Sequence, residues 1–338
     1  MTPGRRVIPF FVPHLGCQNS CVFCNQHRIT GSAEPVAAET VTASLHALAL
    51  PVDAACQIAF YGGSFTAIPV EQQISLLRAV QPFLTTHKNA TLRLSTRPDA
   101  VDRQTLERLR VFGVRTIELG AQSLCDDVLQ ASCRGHTSAD TDKAARLVRE
   151  QGFELILQMM TGLPGDTPEK ARWTAERLIA LRPDGVRIYP TVILQNTPLF
   201  DMWRAGMYKE HTVDDAVALC ADLYQLFEAS GIPVIRIGLN PTTALSGGAA
   251  VGGAYHPAFG QLVLSRVYYD KALALLQCAR GAQSVTLGVH PGCVSYMTGH
   301  RRASVTALEK ALHIGRVRTL AADAARGEIV IMRIDYGG

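Results

Sequence analysis

Between residues 7 and 237 short β-branched or aromatic runs alternate with longer stretches of helical period, and the alternation repeats six times. Strands are predicted over 7–11, 57–61, 91–96, 116–119, 154–160 and 185–189, with a further short one over 234–237. The helical stretches between and after them cover 41–50, 70–84, 102–112, 138–151, 168–181 and 213–230. A strand followed by a crossover helix, repeated in series, buries its apolar faces only as a parallel sheet with right-handed connections. The fold class is therefore α/β, either an open doubly wound sheet or a partial (β/α)6 TIM-like barrel. Helix entries are well marked: Asp166-Thr167-Pro168-Glu169 supplies a cap, a proline and an acid at a first turn. With 47% hydrophobic and 18% charged residues the chain can fill a core, which excludes disorder, collagen and coiled coil.

After Leu239 the pattern changes. The stretch 240–253 holds Pro241, Gly247, Gly248, Gly252 and Gly253 with almost no charge, and marks a domain boundary. Two domains are expected, a partial barrel over 1–239 and a small C-terminal α+β domain over 240–338, the latter with helices over 261–280 and 303–313 and strands over 284–289, 316–321 and 328–335. No repeat of fixed period is present beyond the strand–helix alternation.

The net charge, 33 basic against 29 acidic residues or +4, is too small to mark a nucleic-acid binder by bulk charge, so an anionic partner must meet a local patch. The opening RRVIPFFVPHLGC resembles an export signal only superficially, because Pro9 and Pro13 break its short apolar run. No apolar stretch long enough to span a membrane occurs. Nine cysteines, an odd number in a chain this long, fit a reduced, cytoplasmic setting better than a disulfide framework.

Three of those cysteines crowd together as Cys17-x3-Cys21-x2-Cys24, just after the first strand, where parallel α/β domains present their functional loops. The spacing lets three thiolates converge on one metal centre and leaves a fourth position unfilled. An iron–sulfur cluster fits this best; a structural zinc with His14 or His27 as fourth ligand, and chance, are the alternatives. Against zinc, no second Cys or His pair stands at such spacing nearby. With Phe23 before the last cysteine, the motif resembles that of the radical S-adenosylmethionine (SAM) superfamily. The resemblance implies that Cys17, Cys21 and Cys24 hold a [4Fe–4S] cluster, that SAM chelates the open iron, and that Phe23 packs near the adenine.

Further motifs follow in order. Gly62-Gly63-Ser64 closes the second strand and resembles the superfamily's glycine-rich contact to the methionine amino group, with Ser64 where many relatives have Glu. Ser95-Thr96-Arg97-Pro98-Asp99, Glu118-Leu119-Gly120-Ala121-Gln122-Ser123, Arg134-Gly135-His136-Thr137 and Met159-Met160-Thr161-Gly162-Leu163-Pro164-Gly165 are similar to the radical domain of the elongator catalytic subunit, which modifies the tRNA wobble uridine. More distantly they resemble oxygen-independent coproporphyrinogen oxidases. By this resemblance Thr96, Arg97, Glu118 and Gln122 line the ribose and carboxylate side of SAM and Met160 contacts the adenine, whereas the bland reading leaves solvated loop residues and a core methionine.

Two departures matter: the cysteine loop is the compact superfamily form, and 338 residues leave no room for the elongator acetyltransferase domain, so acetyl transfer is not expected. The implied activity is reductive cleavage of SAM to a 5′-deoxyadenosyl radical acting on a substrate, fed by an electron donor such as flavodoxin or ferredoxin. The implied substrate is tRNA; DNA and membrane partners are not expected. A coproporphyrinogen-oxidase-like haem-pathway protein and a zinc-stapled binding module are the competing readings. The catalytic residue is open, with Tyr189 at the sixth strand end and His256 in a turn as candidates. Arg5-Arg6, Arg134 and Gly299-His300-Arg301-Arg302 are candidate phosphate contacts.

Overall fold

The computed structural model describes residues 6–12, 15–17, 19–26, 29 and 36–337. His14, His27 and Arg5, singled out from the sequence, lie outside the described residues. The chain forms two compact units, 1–213 with 226–257, and 214–225 with 258–338.

The first unit runs β1 (Arg6–Phe11), α1 (Ala38–His46), β2 (Cys56–Tyr61), α2 (Val70–Thr86), β3 (Thr91–Thr96), α3 (Arg103–Val111), β4 (Val114–Gln122), α4 (Asp126–Ala131), α5 (Ser138–Glu150) and β5 (Glu154–Thr161). It continues with α6 (Pro168–Ala180), β6 (Gly185–Pro190), β7 (Val192–Leu194), α7 (Pro198–Arg204), α8 (Val213–Ala229), β8 (Val234–Ile237) and β9 (Ala250–Gly253); residues 214–225 of α8 group with the second unit. β1 to β6 and then β8 form one parallel sheet of seven strands in sequence order, curled into a half-barrel. This is the partial barrel rather than the doubly wound alternative, since strand order never reverses.

Capping follows the sequence signals. Asp102 accepts from the Thr105 N–H at 2.7 Å, Thr137 and Asp140 form a reciprocal capping box, and Thr167 caps α6 with Pro168 at its first position. Along each strand one residue in two, such as Leu94, Ile117, Leu119, Leu157 and Ile188, is sealed under the helices. Their neighbours face the concave side, and these are polar or aromatic: Ser95, Glu118, Gln158, Arg187 and Tyr189.

The glycine-rich stretch read as a domain boundary lies inside the first unit. Its strand β9 pairs antiparallel with β7, Val192 opposite Gly253, a two-stranded piece absent from the sequence reading. β4 also runs further than expected, because its pairing with β5 continues past a bulge at Gly120 to Gln122, whose φ is +64°.

In the second unit α9 (Phe259–Leu275), β10 (Ser284–Val289), α10 (Val294–Thr298), α11 (Ala303–Leu312), β11 (Arg316–Ala321) and β12 (Ile329–Asp335) make an α+β layer with sheet order β11-β10-β12. Val285, Leu287, Val289 and Val317 close its core against Leu308 and Met297.

Candidate active site

The cysteine loop leaves β1 and is fastened at four points. The Ser64 N–H donates to the Leu15 carbonyl at 2.8 Å, and the Val22 N–H to Ser132 at 3.1 Å. Arg134 donates from Nη1 to the Cys21 sulfur at 3.5 Å and from Nη2 to the Gly120 carbonyl at 2.9 Å. Asn19, its amide oxygen turned toward Arg97, accepts from that guanidinium at 3.0 and 3.2 Å.

Fitting the loop there requires glycine on both sides. A Cβ on Gly63 would stand 2.3 Å from the Val12 carbonyl oxygen and 2.5 Å from that of Leu15, and one on Gly16 would stand 2.3 Å from the Ser64 oxygen. The close approach that Gly63 permits is thus first to this chain's own loop. Ser64 is likewise engaged internally: its hydroxyl pairs with Thr96 at 2.9 Å and accepts the Arg97 N–H at 3.2 Å, tying the ends of β2 and β3.

Cys17, Cys21 and Cys24 border one cavity of about 710 Å³ at the carboxyl ends of the strands. Burial pushes the Cys17 thiol up and takes Cys24, beside Cys21 and Cys17, up to about 12. Gln26 donates to the Cys24 sulfur at 3.4 Å. Donors aimed at sulfur stabilise thiolate ligands, and three sulfurs without a carboxylate among them suit a thiophilic iron centre. Among the described residues no three His, Cys, Asp or Glu side chains converge on a single ion. The donor set fits a cluster that takes three ligands from the protein.

The same cavity is bordered by Phe23, Gly62, Gly63, Ser64, Thr96, Arg97, Glu118, Gln122, Met160 and Tyr189, so every cofactor contact named from the sequence reaches it. His256 is exposed and absent from the wall, and is not brought to the site.

Arg187, Tyr61 and Gln158, which sequence reasoning missed as site residues, form the cavity floor with Glu118, and Arg93 stands behind it. Glu118, only 2% exposed, faces Arg187 Nε at 3.2 Å and Arg93 Nη1 at 3.9 Å. Arg187 donates onward to the hydroxyls of Tyr61 at 2.8 Å and Tyr189 at 3.2 Å. Burial works against charge on Arg187, yet Glu118 and the two phenols outweigh it and hold its pKa above the usual value. Gln158 donates to the Gln122 side chain at 3.3 Å. Polar residues recurring every second position in otherwise apolar strands were the available signal.

At the edge of the site the Gly162 peptide is clamped from both sides. Asp166 accepts its N–H at 2.8 Å and the Tyr208 hydroxyl donates to its carbonyl at 2.6 Å. Burial raises the Asp166 carboxyl to about 6.

A thiol-rich loop beside a cavity with polar groups set among apolar ones, at the open strand ends of a parallel half-barrel, is the arrangement of a barrel enzyme. The Radical SAM superfamily profile matches residues 11–178 and the Radical_SAM C-terminal domain profile residues 183–269; the chain is an enzyme and belongs to the radical SAM superfamily.

Within it the chain is similar to Elongator complex protein 3 of Mus musculus, 28% identical over 188 residues, covering 49% of this chain and 34% of that protein. It is also similar to the tRNA uridine(34) acetyltransferase of Dehalococcoides mccartyi, 33% identical over 154 residues, covering 45% of this chain and 33% of that protein. The match thus spans about a third of the length of these curated relatives. Among solved structures the archaeal Elp3 of Methanocaldococcus infernus shares the fold, with TM-score 0.60 and 20% identity over 80% of this chain and 68% of that one. So does coproporphyrinogen III oxidase from Escherichia coli, with TM-score 0.51 and 18% identity over 68% of this chain and 54% of that one.

Proposed function

We propose that the chain binds a [4Fe–4S] cluster through Cys17, Cys21 and Cys24, cleaves S-adenosylmethionine reductively, and acts on RNA of the tRNA class. The observation that carries the cofactor reading is that the three cysteines, two of them hydrogen-bonded at sulfur by Arg134 and Gln26, border one cavity together with the polar strand ends. When bound, the cluster supplies the electron that releases a 5′-deoxyadenosyl radical from SAM.

In this reading the protein's own groups divide the work. Thr96, Arg97, Glu118 and Gln122 hold the polar parts of SAM, Gly62 leaves room at the strand end, and Phe23 and Met160 flank the adenine. Gly63 and Ser64 serve by seating the loop. The electron comes from a small one-electron donor such as flavodoxin or ferredoxin. The RNA half rests on the similarity to tRNA-modifying relatives.

Anaerobic reconstitution should give about four irons per chain and a broad band near ~400 nm, and reduction with dithionite in the presence of SAM should form 5′-deoxyadenosine. Stoichiometric zinc with no deoxyadenosine refutes the reading. Cys21→Ala separates the two metals further: it should abolish the band and still melt cooperatively, close to the metal-free parent, whereas with a structural zinc the variant and the metal-free parent would both lack a cooperative melt.

A further inference from the structure

Residues 258–338 hold ten Lys and Arg against five Asp and Glu, a net of +5, while the whole chain carries +4. Three of the ten, Arg316, Arg318 and Arg333, stand on the three-stranded sheet against one acid, Asp335. Val285, Leu287 and Val289 of β10, Val317 of β11, and Ile329, Ile331 and Ile334 of β12 face the core. The residues between them are sent to the opposite side by the pleat.

Strand register arranges that outward face in three rows. Arg316, Ser284 and Asp335 lie side by side, then Arg318, Thr286 and Arg333, then Leu320, Gly288 and Val330. The register slips between Thr286 and Leu287, which gives β12 one extra residue, so Met332 and Arg333 both point outward. Gly288 keeps the middle low: a Cβ there would stand 2.9 Å from Val330 Cγ2 and 3.0 Å from Met332 Sδ. Leu320 and Met332 remain 50% and 53% exposed beside it. Arg333 pairs with Asp335 at 3.2 Å, whereas Arg316 and Arg318 have no carboxylate partner among the described residues.

We infer that this sheet face binds a single-stranded RNA segment, its phosphates on Arg316, Arg318 and Arg333 and a base against Leu320 and Met332. The inference rests on the reading of RNA as substrate and assigns it a second contact surface. Arg316 and Arg318 repeat about 6.6 Å apart along one strand, and Arg333 stands about 9.6 Å across from Arg318, a spread suited to a linear polyanion. Planar guanidinium groups take phosphate oxygens two at a time, and exposed apolar side chains next to them accept the faces of unstacked bases. A flat sheet offers nothing to insert into a duplex groove, so the bases must come splayed.

The test is fluorescence anisotropy of a labelled 12-nucleotide mixed-sequence RNA on the full chain at several salt concentrations. Arg316→Ala/Arg318→Ala/Arg333→Ala should weaken binding about tenfold at low salt and flatten the log–log salt slope by about 2, three contacts at ~0.7 each for single strands. Leu320→Ala/Met332→Ala should weaken binding with the slope retained. Arg146→Ala/Arg149→Ala, in a separate arginine-lined groove on the first unit, should leave binding as in the parent. No binding at low salt, an unchanged slope in the triple variant, or equal affinity for the same sequence as a duplex overturns the inference. Far-UV circular dichroism checks folding, and Arg316→Glu/Arg318→Glu gives an independent charge-reversed variant expected to abolish binding. Deoxyadenosine formation without RNA should be untouched in all of them. Its absence in the parent refutes the cofactor reading alone, and lost RNA binding beside normal deoxyadenosine concerns the RNA contacts alone.

Discussion

Gly63→Ala tests how the fold presents the cysteine loop. The new methyl carbon would sit 2.3 Å from the Val12 oxygen and 2.5 Å from the Leu15 oxygen, both backbone atoms. Ordinary contact needs about 3.5 Å, so something must move by roughly 1 Å. Two responses are open. If β2 gives way, the buried strand end is overpacked at a cost of about 1–3 kcal/mol, a loss of roughly 2–10 °C in melting temperature for a unit of this size. If the loop gives way, the Ser64 N–H to Leu15 bond is broken for about 1 kcal/mol and Cys17, two residues beyond Leu15, is displaced from its companions. Either route lowers iron bound per chain after anaerobic reconstitution, and differential scanning calorimetry of the metal-free protein tells which was taken. Gly247→Ala is the control, since a Cβ there meets nothing within 4 Å. Parent-level iron together with an unchanged melting temperature in Gly63→Ala would refute the reasoning.

Glu118→Gln leaves Arg187 in the cavity floor, and Arg93 behind it, without their carboxylate and should cost about 3–5 kcal/mol in urea unfolding; Glu118→Gln/Arg187→Met should recover a good part of it, and a loss below about 1 kcal/mol for the single variant contradicts the ion-pair account. The Asp166 carboxyl, raised to about 6, makes the native state bind more protons than the unfolded chain between about pH 4 and 6, so its contribution to stability is complete below that window and lost as pH rises through it. Burial, helped by Arg134, lowers His136 to about 4, which has the opposite sign: its contribution is complete above about pH 6.5 and lost as pH falls toward 4. Urea midpoints of Asp166→Asn and His136→Gln, each subtracted from the parent across pH 4–7, should therefore slope in opposite directions, and two flat differences would remove both assignments.

Local pattern alone determined the seven strands of the main sheet with their crossover helices, and placed a thiol-rich loop at its mouth. Strand and helix periods, the Thr137 and Thr167 caps, and three cysteines within one loop are properties of neighbouring residues, readable without knowing what lies across the sheet. The strand-end residues Thr96, Glu118, Gln122 and Met160 were named from the resemblance to radical SAM motifs, and their place as polar or soft side chains closing apolar runs fits that use. What needed the tertiary structure was every contact set by register. Glu118 meets Arg187 and Arg93 from three strands, Gly63 is held to glycine by the backbone at Val12 and Leu15, and β9 finds β7 across more than fifty residues. His256 looked chemically apt in sequence but stands exposed, because a turn carries no signal of which way it faces. Nothing along the chain links the arginines of β11 and β12; the strand register alone sets Arg333 level with Arg318. Periodicity is written along the chain and costs nothing to read; register is a choice among long-range pairings, decided only when the whole sheet closes over its core.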